Sequence, residues 1–443
     1  MVESQPLQAA DAAAPSSWWS IANRDAKFAP MGALSGSCLV ATSDGGGGGP
    51  PRQMLVLALG ENPPPRPASG FTSSDGVTWR PVQGPSLRRY AAACALGEAP
   101  GSGVGLFGGA GGGPLLDDFW HWTDGAWSAV PKSGPWPPAR IYANLVNPGD
   151  GGLWLFGGLN PSPRYFRDLW VSHRGGAQWT RVSDNTRLPP RYSACAFGHM
   201  VDGRVRLWVG GGASDGHAKQ DAWQYDGDDW NPLPQPEWSA RFSANVAVVG
   251  RTVYLFGGQG AGGRDLSDMW AAPLDNLEHW TLVDPAIPPH ATSWSTCAVL
   301  GGEVYVTAGA LGNAVWRLRP PAALFEVGGV FGHAEYAGEG GVFSVRWEAG
   351  ALPRAAYEVC LWDVENKVVA NQVVSPGPGG PAPTTLDLDM DVWPPLPFPM
   401  VTLRVRLLID SVVGPWSPEQ RFPARGPRSD EDDWPNAAGP APQ

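Results

Sequence analysis

Thr252-Val253-Tyr254-Leu255-Phe256-Gly257-Gly258 is a β-prone apolar run that ends on a glycine pair, and Trp270 and Trp280 follow it. The same series recurs along the chain. Glycine sites stand at Gly108-Gly109, Gly157-Gly158, Gly210-Gly211, Gly257-Gly258 and, more weakly, Ala308-Gly309. The first tryptophans after them are Trp120, Trp170, Trp223, Trp270 and Trp316; a second set is Trp79, Trp127, Trp179, Trp230 and Trp280. A basic residue opens each repeat at Arg89, Arg140, Arg191, Arg241 and His290. The glycine, second-tryptophan and basic series each advance by 47 to 53 residues. In a chain with 59 glycines one pair would mean nothing. Three markers in phase define a structural repeat near fifty residues long.

Each repeat reads as four short strands. Around the quoted run they are Ser243 to Val249, Thr252 to Phe256, Met269 to Ala272 and Trp280 to Val283, separated by Gly, Pro and Asp. The glycine pair implies a crowded place near a central axis, with positive φ. The tryptophans supply the large apolar area that stacked repeats bury between them. This pattern resembles the kelch superfamily of β-propellers over residues 18–319. The last repeat, from His290 to about Arg319, lacks a fourth strand. Trp19-Ser20-Ile21, followed by Pro30, matches Trp127-Ser128-Ala129, followed by Pro138. The expectation is therefore an all-β chain: a six-bladed kelch-type β-propeller closed by an N-terminal strand, followed by a β-sandwich. Tryptophans at 19, 79, 127, 179, 230 and 280 count the blades. The first blade is degenerate, with only Leu59-Gly60 at its glycine site. Ser73-Ser74-Asp75-Gly76-Val77-Thr78-Trp79 resembles the Asp box of sialidase propellers, but it occurs once and reads as a turn-stabilising hairpin.

Past Pro320 the period stops. Phe343-Ser344-Val345-Arg346-Trp347 and the run Thr402 to Ile409 alternate apolar with polar residues, which marks strands with one buried face. Trp347 and Gly414-Pro415-Trp416-Ser417-Pro418 resemble a fibronectin type III domain over residues 322–423, although its late-strand tyrosine is missing. A propeller followed by such a module is similar to the host-cell-factor arrangement. Residues 1–17 and 424–443 read as disordered, the latter as an acidic tail around Asp430-Glu431-Asp432-Asp433.

A net charge of −11 argues against nucleic acid or an acidic membrane as partner. There is no secretory leader pattern and no apolar run of the ~20 residues a span needs. The cysteines Cys38, Cys94, Cys195 and Cys297 sit at matching places in their blades and Cys360 lies beyond. Without a CxxC or Cys/His cluster, they read as small buried thiols of an intracellular protein, cytoplasmic or nuclear, with no metal and no cofactor.

No catalytic set emerges. A galactose-oxidase-like copper enzyme needs a cysteine–tyrosine crosslink and two histidine ligands, and the seven histidines are scattered. A sialidase-like enzyme needs an arginine triad, and the repeat already accounts for the arginines. A carbohydrate-binding protein would expose tryptophans in a cleft. Binding of a protein partner is the favoured expectation. Arg89, Arg140, Arg191 and Arg241, with Tyr90, Tyr142, Tyr192 and Phe242 beside them, fall on one face of the propeller. Longer loops add Arg66, Arg164, Tyr165, Lys219 and Arg264. Guanidinium forks take carboxylates bidentately and aromatic rings give flat apolar contact. Kelch substrate adaptors of ubiquitin ligases resemble this arrangement, which implies an acidic or polar peptide segment, or a larger assembly, as the partner.

Overall fold

A computed structural model of the chain describes residues 19–22, 36–43, 53–58, 69–97, 102–160, 164–284, 287, 293–307, 315–321, 324–327, 329–337, 340–348, 355–363, 366–376, 382–389, 400–409, 412–414 and 416–423. Expectations placed on residues 1–17, Leu59-Gly60, Arg66, His290, Ala308-Gly309 and 424–443 lie outside the described residues. Two compact units divide the chain, Met1–Ala323 and Leu324–Gln443.

The first unit is built of antiparallel four-stranded sheets, in which consecutive strands pair as hairpins. One runs Cys38–Ser43, Gln53–Ala58, Gly70–Ser73, Arg80–Val82, and the next Ala92–Ala95, Val104–Ala110, Leu115–Thr123, Ala126–Val130. Three more begin at Asn144–Val146, Cys195–Val201 and Asn245–Val249. The sixth, begun by Cys297–Leu300, takes its outer strand from Trp19–Ile21, where Trp19 pairs with Leu318 and Ile21 with Trp316. The six first strands contact one another in a closed ring, so each sheet is a blade and the innermost strands surround an axis. This is a kelch-type propeller.

The second tryptophans hold the blades together, each in or just before the outer strand of one blade and packed against the blade before it. Trp179 meets Phe107 at 6.2 Å, Trp230 meets Phe156 at 5.1 Å, and Trp280 meets Trp208 at 5.5 Å. Trp19 meets Phe256 at 5.8 Å in the same way. Trp79 packs on the cluster of Ala298, Leu300 and Val315 in the sixth blade, which completes the ring. Trp179, Trp230 and Trp280 are at most 1% exposed. Each such side chain therefore contributes on the order of 3 kcal/mol through burial.

The glycine pairs answer a close approach between blades. Gly108 has φ 66°, and a Cβ there would stand 2.8 Å from the carbonyl oxygen of Arg140 in the next blade. Gly109 N–H donates to that same oxygen at 3.1 Å. In the following blades Gly158 donates to Arg191 O and Gly212 to Arg241 O, both at 2.9 Å. The third pair is therefore Gly211-Gly212, one residue beyond the Gly210-Gly211 read from the sequence; their φ values are 62° and 89°. What crowds these positions is the backbone of the next blade.

Ser73 Oγ and the Asp75 carboxylate accept the N–H groups of Gly76, Val77 and Thr78 at 2.7–2.8 Å, a closed local turn. In the second unit, Phe331–Ala337, Gly340–Arg346 and Thr385–Asp389 form one sheet. Val368–Val374, Ala356–Trp362, Met400–Ile409 and the short Val412–Val413 form the other, with Gln420–Pro423 beside Met400–Ile409. The buried Trp347 packs on Tyr357 with ring centres 5.3 Å apart.

Candidate functional site

The repeat arginines are structural. Arg140 donates from both terminal nitrogens to Asp168, at 2.8 and 2.7 Å, and also to the carbonyls of Gly157 and Pro138. Arg191 holds Asp221 at 2.8 and 2.8 Å, and Arg241 holds Asp268 at 2.9 and 2.8 Å. All three arginines are 1% exposed. The expectation that Arg140, Arg191 and Arg241 offer forks to a ligand is therefore corrected: their donors are used inside their own blades. The register also shifts in the second blade. The fork there is made by the buried Arg88 to Asp118, at 2.6 and 3.0 Å, and its neighbour Arg89 is exposed.

The first tryptophans complete each unit. Trp120, Trp170, Trp223 and Trp270 donate their indole N–H to Asp118, Asp168, Asp221 and Asp268 at 2.7–2.8 Å. The aspartate two residues before each first tryptophan was the missed signal. Burial alone would raise the carboxyls of Asp118, Asp221 and Asp268, but the arginine and indole hydrogen bonds and the arginine charge outweigh it and hold them below the ordinary range. A carboxyl depressed in the fold leaves the unfolded chain with more bound protons, so its stabilisation is complete above the unfolded value and fades as pH falls through the folded one. The urea midpoint is expected to drop as pH is lowered from about 5 to below the ordinary carboxylate value of about 4. A midpoint that holds steady through that range would contradict the fork as a source of stability.

Two residues after each repeat arginine the chain turns in toward the axis. Tyr90, Tyr142, Ser193 and Ser243 occupy this position with φ between 52° and 61°, and Trp294 (φ 58°) and Gly36 (φ 74°) take the equivalent place in the sixth and first blades, where no arginine stands two residues before. Their backbones link blade to blade: Tyr90 N–H donates to Gly36 O, Tyr142 to Tyr90, Ser193 to Tyr142 and Ser243 to Ser193, at 2.9–3.1 Å. Below this belt lies an axial cavity of about 260 Å³ lined by alanines, serines and Asn144. Cys38, Cys195 and Cys297 also line it. All three thiols are free, and burial pushes them up to about 12, so they are not nucleophiles at neutral pH.

Above the cavity the aromatic side chains gather. Tyr90 stacks on Tyr142 at 4.3 Å, and each lies 5.9 Å from Trp294. Phe242 meets Trp294 edge-on at 5.9 Å. Tyr192 reaches Tyr142 at 5.7 Å, and Tyr165 stacks on Tyr192 at 5.8 Å. Tyr192 and Phe242 stand one residue earlier in their repeats than Tyr90 and Tyr142, yet the structure brings all of them together at the mouth of the axis. Trp294 is an additional member. Burial first, then Tyr90 beside it, raises the Tyr142 hydroxyl above its ordinary value, so it stays neutral.

Cations rim this cluster. Arg89 lies over Tyr90 at 5.5 Å, and its segment bridges to Ala110. Lys219 bridges to Arg241, and Arg264 is exposed in the loop that bridges Gln259 to Asp265. Among the described residues none of these three cations has a carboxylate at ion-pair distance. The backbone of Arg164 pairs with Asn160 in the hairpin that carries Tyr165.

The repeat geometry and the sequence agree with a known domain. Residues 83–313 match the KLHDC2/KLHL20/DRC7 Kelch-repeats domain, which is more than half of the chain. The chain belongs to the kelch-repeat family. It is 28% identical over 200 residues to acyl-CoA-binding domain-containing protein 5 of Arabidopsis thaliana, covering 41% of this chain and 29% of that protein. An F-box/kelch-repeat protein of Arabidopsis thaliana is 27% identical over 236 residues, covering 46% of this chain and 48% of the relative. The aligned region thus spans less than half the length of these relatives. Among solved structures, that of YjhT shares 12% identity with a TM-score of 0.47, over 64% of this chain and 93% of its own.

Proposed function

We propose that this kelch protein is a non-enzymatic interaction module whose propeller mouth binds an acidic or polar peptide segment of a protein partner. The observation that carries the reading is the aromatic cluster of Tyr90, Tyr142, Tyr192, Phe242 and Trp294, with Arg89, Lys219 and Arg264 in the segments beside it and, among the described residues, no carboxylate at ion-pair distance from any of the three. On a chain of net charge −11, this rim carries three cations, with Asp215 and Asp265 as acidic neighbours. It would steer an acidic segment and pair its carboxylates, while the rings supply apolar contact area with little rotamer entropy to lose. Among the described parts of the mouth the polar groups do not form a nucleophile with an adjacent base, which an enzyme reading would require. The second unit, as a fibronectin type III-like sandwich, would orient the propeller or bind a second partner.

The test is quantitative affinity purification with mass spectrometry from the native source, comparing wild type with Arg89→Glu/Lys219→Glu/Arg264→Glu. These side chains are solvent-accessible, so the variant should keep the wild-type melting temperature. At least one partner is expected to fall more than tenfold in the variant. Retention of every partner would refute the mouth as the binding site. Binding to a glycan array, lost with Trp294→Ala, would favour the carbohydrate-binding alternative.

A further inference from the structure

Val368–Val374 is an edge strand of the larger sheet in the second unit. It pairs with Ala356–Trp362 on one side, and among the described residues no strand pairs with its other side. An edge turns every second N–H and C=O outward, and natural sheets guard such a row with charges, prolines or extreme shortness. This strand reads Val368-Val369-Ala370-Asn371-Gln372-Val373-Val374, with no charge and no proline. Val368 and Val373 are 50% and 51% exposed. The register shift in its pairing lies near the Val368 end, which leaves the stretch from Ala370 to Val374 regular. Other edges of the unit are guarded: Thr385–Asp389 carries Asp387 and Asp389, Phe331–Ala337 carries His333 and Glu335, and Gln420–Pro423 carries Arg421 and Pro423.

The strand is also its own complement. Read outward from Asn371 it is the same in both directions, apart from Ala370 against Gln372. Two copies aligned antiparallel about Asn371 would set Val368 opposite Val374 and Val373 opposite Val369, and no like charges would face each other. The edge is braced from within its own sheet. Asn371 Nδ2 donates to Glu358 at 2.8 Å, Arg406 donates to the same carboxylate at 2.7 Å, and the Arg406 guanidinium lies 4.2 Å over Trp416. Such bracing presents the strand already shaped for pairing.

We propose that Val368–Val374 is a homodimerisation edge, on which a second copy of this chain lays its own Val368–Val374 antiparallel. A second copy fits better than a foreign strand, because the two-fold match supplies the side-chain pairing that backbone hydrogen bonds leave unspecified. Seven residues a side cover less than the ~1,200 Å² of a standard interface, so the dimer is weak, with a Kd on the order of 10 µM.

Sedimentation equilibrium of the full chain from about 1 to about 100 µM tests this, and wild type should pass from monomer to dimer across that range. Val373→Lys installs the charge that guarded edges carry. Position 373 faces Glu358 in its own sheet, so the dilute variant should melt no lower than wild type. Its Kd for self-association should rise at least tenfold. Hydrogen exchange on wild type is a second measurement that needs no variant: the amides of residues 368–374 should exchange more slowly at about 100 µM than at about 1 µM. Wild type that stays monomeric overturns the proposal. So does a dimer that Val373→Lys leaves intact, or one whose concentration-dependent protection falls elsewhere in the chain. Monomeric wild type that captures another protein, lost with Val373→Lys, would give the edge to a foreign strand and overturn the second copy.

Discussion

Arg140→Ala is expected to destabilise the propeller by about 3–5 kcal/mol, the cost of stranding one member of a buried ion pair. The Arg140 side chain is fully buried and Asp168 is 10% exposed. Removing the guanidinium leaves the Asp168 carboxylate, among the described residues, with the Trp170 indole as its side-chain donor. The Gly157 and Pro138 carbonyls also lose a donor, and Phe166 loses the cation 3.8 Å above its ring. Equilibrium denaturation followed by tryptophan fluorescence measures the loss. Arg140→Ala/Asp168→Ala should recover part of it, since the double variant no longer buries a lone charge. A single variant within about 1 kcal/mol of wild type would show that the fork is dispensable. The distinction matters for function, because a partner lost on mutating Arg140 would reflect an unfolded blade. The exposed Arg89 is the informative position at the mouth.

Trp19→Ala is expected to cost about 2–3 kcal/mol, less than a fully buried indole would, because Trp19 is half-buried. Its ring closes the seam against Phe256, and its strand covers the edge of Val315–Leu318. Loss of that cover exposes a row of unpaired backbone groups in the sixth blade, a template for aggregation. The seam lies where the two ends of the propeller meet. Covalent connectivity does not hold it, so side-chain packing and three paired residues must. Limited proteolysis should cut the variant near the sixth blade at protease levels that leave wild type intact. A variant as resistant and as stable as wild type would mean that closure rests on other contacts.

Much of the fold was legible because the propeller is a repeat. Glycines, tryptophans and basic residues recur in phase, and each recurrence reports the same local geometry. The deficit of one strand in the last repeat and the match of Trp19-Ser20-Ile21 to Trp127-Ser128-Ala129 pointed to the closing strand. The site was less legible. Arg88 and Arg89 are adjacent, and spacing alone placed Arg89 in the arginine series although the structure gives the fork to Arg88. The aspartates at 118, 168, 221 and 268 sit two residues before a tryptophan in every full repeat. They looked unremarkable because their partners lie 27 to 30 residues away in sequence.

By itself, the sequence determined the repeat length, the strand content and the blade seams filled by tryptophan. These follow from local chemistry: chain conformation, side-chain volume and period are properties of residues and their neighbours along the chain. Only the tertiary structure decided which arginines are committed to forks. Arg140, Arg191 and Arg241 carry the same fork as any exposed arginine, and their commitment depends on a carboxylate placed opposite by the fold of the blade. The gathering of Tyr90, Tyr142, Tyr165, Tyr192, Phe242 and Trp294 at one mouth was likewise decided in three dimensions. Circular closure brings residues from five blades to a common axis, and the contacts of Trp294 with Tyr90 and Tyr142, far away in sequence, exist only once that ring has closed.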